Sequence, residues 1–171
     1  MTTLKTSDAD MHRLAATLGD AAVALGWAIA TAESCTGGWV AQAITSVAGS
    51  SRWFDRGFVT YTNQAKHDML SVSVATLEQF GAVSEQTVTE MARGALIHSR
   101  AQLAVAVSGI AGPGGGTPDK AVGTVWFAWA TADGALKTAL NVFDGDRESV
   151  RRQAVVTALA GLAEMAEMAH G

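Results

Sequence analysis

Residues 27 to 45 constrain this chain most: Trp27-Ala-Ile-Ala-Thr-Ala-Glu-Ser-Cys-Thr-Gly-Gly-Trp-Val-Ala-Gln-Ala-Ile-Thr. Trp27 to Ala32 is a short apolar run after Gly26, the pattern of a buried strand. From Gly37 onward, Val40, Ala43 and Ile44 fall on one side of a helix. A strand that feeds a helix through the small, polar turn Glu33-Ser34-Cys35-Thr36-Gly37-Gly38 points to α/β packing. Such a turn leaves backbone N–H groups free at a helix start, where the dipole favours negative charge. Ser34 and Thr36 would set hydroxyls in that field, suited to an anionic ligand or a developing oxyanion. The simpler reading is that Ser34 or Thr36 caps the helix.

The remaining chain alternates the two periodicities. Met11, Leu14, Ala15, Leu18, Ala22 and Leu25 predict a helix over 8–25, with Asp8 as N-cap and Gly26 as its stop. Ala48-Gly49-Ser50-Ser51 breaks the pattern as a loop. Residues 54–62 read as a strand, followed by a short helix capped by Asn63. A second short helix spans 74–80, and Ser84 caps a longer one to about Ser99. Leu103 to Val107 is a strongly apolar strand, and the glycine-rich stretch 108–118 is irregular. Strands over 122–131 and 136–143 flank the hairpin signal Asp133-Gly134. Gly145-Asp146-Arg147 opens a last helix running towards Met168. Alternating elements with one late hairpin predict a mixed sheet with helices on both faces. Ligands gather at strand ends in such sheets, which singles out 33–38, 60–66, 108–117 and 145–147.

Bulk properties exclude several classes. A chain of 171 residues, 49% hydrophobic and 16% charged, predicts one domain with a sizeable core and no long disorder. A net charge of −4 argues against a broad basic surface for nucleic acid. No apolar run is long enough to span a membrane, and the first residues, with Asp8 and Asp10, lack the apolar core of a signal peptide. The single cysteine, Cys35, excludes an internal disulfide and fits a cytoplasmic setting.

Serine needs a base to become a nucleophile. His12, His98 and His170 lie in or at the ends of helices without a carboxylate partner, which leaves His67 as the histidine candidate. Lys66 sits in the first turn after the strand ending near Tyr61. A helix start disfavours a cation and would lower its pKa, as a lysine base requires. Tyr61 would orient it or relay a proton. Taken on this stretch alone, Lys66 reads better as an exposed, solvated lysine. Gly109 to Gly116 offers N–H groups to a phosphate, but is neither a Walker A motif nor a dinucleotide fingerprint. Arg147, at a helix start, suits a phosphate or carboxylate clamp. Metal-ligand spacing is missing from the sequence. Cys35 has no evident base and reads as a packed small residue.

Several stretches together resemble one family. Thr31-Ala-Glu-Ser-Cys-Thr-Gly-Gly, Ala48-Gly-Ser-Ser, Gly57-Phe-Val-Thr-Tyr-Thr-Asn-x-x-Lys66, Gly81-Ala-Val-Ser-Glu, Ser108-Gly-Ile-Ala-Gly-Pro-Gly-Gly, Val122-Gly-Thr-Val-Trp and Gly145-Asp-Arg are similar to the CinA C-terminal domain family of bacterial nicotinamide-nucleotide amidohydrolases. The resemblance covers nearly the whole chain in order, in the stand-alone form without a larger N-terminal domain. It implies a three-layer α/β/α sandwich with a mixed, mostly parallel sheet of about five strands. It implies deamidation of nicotinamide mononucleotide to nicotinate mononucleotide and ammonia, in pyridine nucleotide (NAD) recycling, by a Ser/Lys mechanism without metal or cofactor. The nucleophile falls on Ser34 and the base on Lys66, with Tyr61 beside them. Substrate contacts fall on Glu33, Thr36, Gly37, Gly38, Ser50, Gly109, Ile110, Ala111, Gly112 and Arg147. The implied partners are the nucleotide and further copies of the chain, as a homodimer or higher oligomer. The competing readings are a non-catalytic nucleotide-binding or regulatory module, and a phosphatase using the same anion cradle.

Overall fold

In the computed structural model, which describes residues 4–171, the elements follow one another as α1 (Asp8–Leu25), β1 (Ile29–Glu33), α2 (Trp39–Thr45), β2 (Phe54–Val59), α3 (Asn63–Leu70), α4 (Val74–Phe80), α5 (Glu85–Ile97), β3 (Leu103–Gly109), β4 (Thr124–Thr131), β5 (Leu136–Val142) and α6 (Arg147–His170). A single 3₁₀ turn, Ser50–Arg52, precedes β2. The sheet order is β2-β1-β3-β4-β5. β1 pairs in parallel with β2 and with β3, whereas β3–β4 and β4–β5 are antiparallel. Only β4 is therefore reversed, and the sheet is mixed, as the late hairpin predicts. Gly134, at φ 103°, makes the tight turn between β4 and β5.

β1 is buried at every position because it lies between two strands and two helical layers. Its odd-numbered residues face one layer and its alanines the other. Ile29 packs with α1, α2 and α6 around Leu18, Ile44, Val105, Phe127 and Leu159. Ala30 and Ala32 pack with Leu70, Val88, Met91 and Ala95 from α3 and α5. Small side chains on this face of β1, β3 and β4 let α5 lie close to the sheet. The result is the expected α/β/α layering. Among the described residues, no helix is long and apolar enough to cross a membrane.

Element ends differ from the sequence reading where side chains compete for the backbone. The cap of α1 is Ser7, not Asp8; its hydroxyl accepts from the Asp10 N–H, and Asp10 closes a reciprocal capping box. Gly26 stops α1 in a left-handed conformation (φ 68°). β2 ends at Val59 rather than at residue 62, because the carbonyls of Thr60 and Tyr61 turn inward to a lysine amine. Thr62, not Asn63, then caps α3 by accepting from the Ala65 N–H. β3 runs on to Gly109, held by the antiparallel ladder to β4. The parallel strands β1, β2 and β3 all end at one edge of the sheet. The start of β4 and the start of α6 come to that same edge.

Candidate active site

At this edge a cleft of about 270 Å³ opens, lined by Ser34, Cys35, Tyr61, Lys66, Ala82, Val83, residues 108–112, Gly114 and Arg147. Four of the junctions singled out by sequence thus contribute to one cleft. Larger depressions, of about 350 Å³ against α1 and α2 and about 380 Å³ at the end of α5, hold no hydroxyl–amine pair.

Ser34 follows directly from β1. Its N–H continues the sheet by donating to the Val107 carbonyl at 2.9 Å, so its position is set by the centre of the fold. Lys66 reaches it from α3, where Nζ donates to Ser34 Oγ at 2.9 Å. Nζ also donates to the carbonyls of Thr60 (2.9 Å) and Tyr61 (3.2 Å). The Ser34 hydroxyl itself donates to the Tyr61 carbonyl at 3.3 Å. Lys66 is only 1% exposed. Among the described residues no carboxylate forms an ion pair with it. Burial therefore pushes its pKa down from 10.5 to about 8. Of the two causes the sequence suggests, burial and the helix start, the structure makes burial the main one.

Tyr61 acts on this pair through its backbone. Its ring is 58% exposed, and its hydroxyl accepts from Arg147 Nη2 at 3.2 Å rather than meeting Ser34 or Lys66. Arg147 also donates to the Gly112 carbonyl at 2.8 Å, tying the glycine-rich loop to the Tyr61 corner. Gly109, Ile110, Ala111 and Gly112 line the cleft beside it.

The helix start after Ser34 differs most from its sequence reading. The cap position of α2 is Gly38, with no side-chain cap of its own. The acceptor at this helix start is the Glu33 carboxyl group. It accepts from the Thr36 hydroxyl (2.6 Å) and from the N–H groups of Val40 (2.8 Å) and Ala41 (3.1 Å). Burial pushes the Glu33 pKa up, while these donors and the Gly38 N–H pull it back. Glu33 and Thr36 are buried and engaged with each other, so neither faces the cleft. The Gly37 N–H is spent on the Ser34 carbonyl at 3.0 Å. The N–H groups expected to hold an external anion at this helix start are thus largely taken by internal acceptors. Among the described residues, the N–H groups of Cys35 and Thr36 meet no carbonyl or carboxylate.

Ser50 lies elsewhere. It precedes β2, at the opposite end of the sheet from Ser34, and packs beneath Trp53, whose N–H donates to its carbonyl. His67 bonds the Val72 carbonyl through Nδ1 and does not touch Ser34. Cys35 does line the cleft, but burial pushes its thiol up to about 12, which keeps it protonated near neutrality. No group of metal-ligating residues occurs among the described residues.

Sequence reasoning missed Ala82 and Val83 as lining residues, because a loop before a helix carries no chemical signal. It also missed Arg151. That arginine stands one helical turn after Arg147 and therefore on the same face of α6. Nε donates to the Cys35 carbonyl at 3.1 Å and Nη2 to the Thr36 carbonyl at 3.2 Å. The spacing from Arg147 was the available clue.

Comparison with known proteins gives the family and the fold. The profile of the CinA C-terminal domain matches residues 11–166. The nicotinamide-nucleotide amidohydrolase PncC of Enterobacter agglomerans is 59% identical over 153 residues, covering 90% of this chain and 93% of that protein. The protein of the same name from Escherichia coli K12 is 56% identical over 156 residues, covering 91% and 94%. The crystal structure of the competence/damage inducible protein CihA from Agrobacterium tumefaciens superposes with a TM-score of 0.89. It is 48% identical and covers 96% of this chain and 99% of that one.

Proposed function

The chain belongs to the CinA C-terminal domain family, and from that membership we propose that it is an amidohydrolase that converts nicotinamide mononucleotide to nicotinate mononucleotide and ammonia. The observation that carries the reading is the buried Lys66 amine, 2.9 Å from the Ser34 hydroxyl with no carboxylate to hold its charge. A nucleotide-binding module gains nothing from burying a lysine against a serine, whereas a serine amidase needs that pair.

Neutral Lys66 takes the proton from Ser34 Oγ as Oγ bonds to the carboxamide carbon. The negative charge moves to the carbonyl oxygen, where the free N–H groups of Cys35 and Thr36 are the available donors. Collapse breaks the carbon–nitrogen bond, and Lys66 passes its proton to the leaving ammonia. Water then attacks the acyl-serine as Lys66 receives its proton; the bond to Oγ breaks, Lys66 returns the proton to Ser34 Oγ, and nicotinate mononucleotide leaves. Arg147, exposed at the mouth of the cleft, and the 109–114 loop would hold the phosphate. The reaction would return the pyridine ring to NAD recycling.

The test follows ammonia release from nicotinamide mononucleotide, with the riboside and free nicotinamide alongside. Ser34→Ala should lower turnover by about 10³-fold or more while the fold survives. Near-native turnover would remove Ser34 as nucleophile. Binding without ammonia from the native protein would favour the module, and release of inorganic phosphate a phosphatase.

A further inference from the structure

We propose that Arg151 is a positioning residue for this reaction, holding the turn after Ser34 so that its free N–H groups face the reacting carbonyl. The inference rests on the Ser34 reading above and goes beyond it to a residue outside the cleft lining.

The turn has little rigidity of its own. Gly37 and Gly38 adopt φ of 60° and 101°, which glycine visits freely and other residues rarely. Glu33 fixes the turn from the side of β1 and α2, through Thr36, Val40 and Ala41. Arg151 fixes it from the side of α6, with Nε on the Cys35 carbonyl and Nη2 on the Thr36 carbonyl. A planar guanidinium presents two parallel donors, so it can set two successive peptide planes at once. Its own plane is held over the Trp39 ring, 5.3 Å from the centroid. Unlike Arg152, which pairs with Asp8 and Glu148, Arg151 forms no ion pair among the described residues. Its charge is directed at the two carbonyls.

The consequence follows from peptide geometry. In a trans peptide the C=O and the next N–H point in opposite directions. Holding the Cys35 carbonyl towards α6 turns the Thr36 N–H away from α6. Holding the Thr36 carbonyl directs the Gly37 N–H, which closes on the Ser34 carbonyl at 3.0 Å. That closure in turn orients the peptide carrying the Cys35 N–H. The Thr36 carbonyl also accepts from the Trp39 N–H at 3.1 Å, but Arg151 is the side chain that bonds both carbonyls and so bears on both unpartnered donors next to the nucleophile. A positive guanidinium on the carbonyl side also polarises each peptide and strengthens its N–H as a donor.

Such a residue serves the transition state more than the bound substrate, so its loss lowers kcat more than it raises KM. The test measures both constants on nicotinamide mononucleotide for Arg151→Met and Arg151→Lys, with Arg147→Ala and Ser34→Ala alongside. Arg151→Met should lose roughly tenfold to a hundredfold in kcat, below the full effect of deleting an oxyanion donor, with KM within about twofold. The pH midpoint of activity, set at Lys66, should stay where it is. Free guanidinium ion should restore part of the rate to Arg151→Met, which a merely structural defect would not allow. Arg147→Ala should show the opposite split, a raised KM with kcat little changed. If Arg151→Met does not fold, Arg151→Lys decides by the same split, since an ammonium lacks the fixed parallel donors that align two successive peptide planes. Unchanged kcat in a folded Arg151 variant, or a rise in KM alone, overturns the proposal while leaving Ser34 in place. An active Ser34→Ala protein overturns both readings.

Discussion

At the scale of single residues, the decisive feature is a lysine whose charge is unsupported. Lys66 donates to a hydroxyl and two carbonyls, and no carboxylate balances it among the described residues. With its pKa near 8, about a tenth of the protein carries a neutral amine at pH 7. A base must be neutral before it accepts a proton, so raising the pH fills the active form. The kcat/KM of the native enzyme should therefore rise with pH and level off above about 8. Lys66→Arg should be nearly inactive across that range, because arginine keeps its proton. His67→Ala should keep most of the rate, since that ring bonds only the Val72 carbonyl. A pH–rate profile of the variants checks this. An active Lys66→Arg protein with the native profile would make the lysine an electrostatic support only.

At the scale of elements, α2 is a seven-residue helix that depends on a strand residue for its start. So short a helix is unstable alone, and its first N–H groups have no intrahelical acceptor. Glu33, the last residue of β1, supplies the acceptor. One carboxylate thereby joins strand to helix and shapes the turn that carries Ser34. Removing it leaves several buried donors unpaired. Glu33→Ala should cost about 2–4 kcal/mol in a urea denaturation. Glu33→Gln, which keeps an acceptor oxygen, should cost about half as much. If Glu33 contacted substrate instead, either change would raise KM and leave the unfolding midpoint in place.

At the scale of the whole molecule, the layers are spaced by glycine against tryptophan. Gly161, in the middle of α6, lies so close to the Trp129 indole that an added Cβ would collide with the ring. Trp129 is buried in β4 and donates from Nε1 to the Ala158 carbonyl at 3.0 Å, which holds the ring in place. In an isolated helix glycine to alanine would stabilise by about 1 kcal/mol. Here Gly161→Ala should destabilise by about 1–3 kcal/mol, because either the ring or α6 must move. Thermal unfolding measures the sign. Adding Trp129→Leu should recover part of the loss if the indole is the obstacle.

The order and type of the elements were legible in the chain because they rest on local periodicity. The apolar run before Ser34, the stripes of α1, α5 and α6, and the Asp133-Gly134 turn each sit within a few residues. The candidate pair was legible only as types, a serine after a strand and a lysine after the next. Their 2.9 Å meeting comes from the parallel register of β1 and β2, which ends both strands at the same edge. For three of the expected site residues the fold, not the local pattern, decides where the side chain lies. Glu33, expected at the substrate, turns inward, where its carboxyl group accepts from the first N–H groups of α2. Tyr61 contributes its carbonyl to the pair while its hydroxyl goes to Arg147, and no sequence pattern tells a residue's side chain from its backbone as the working group. Ser50, read from a motif beside the others, lies at the far end of the sheet. Arg151, 116 residues from Cys35 along the chain, passed unseen. Sequence alone determined the order and type of the elements and which of their faces are apolar. Tertiary structure decided which polar groups face one another across the fold and which are spent inside it, because burial and pairing are set by atoms distant in the chain.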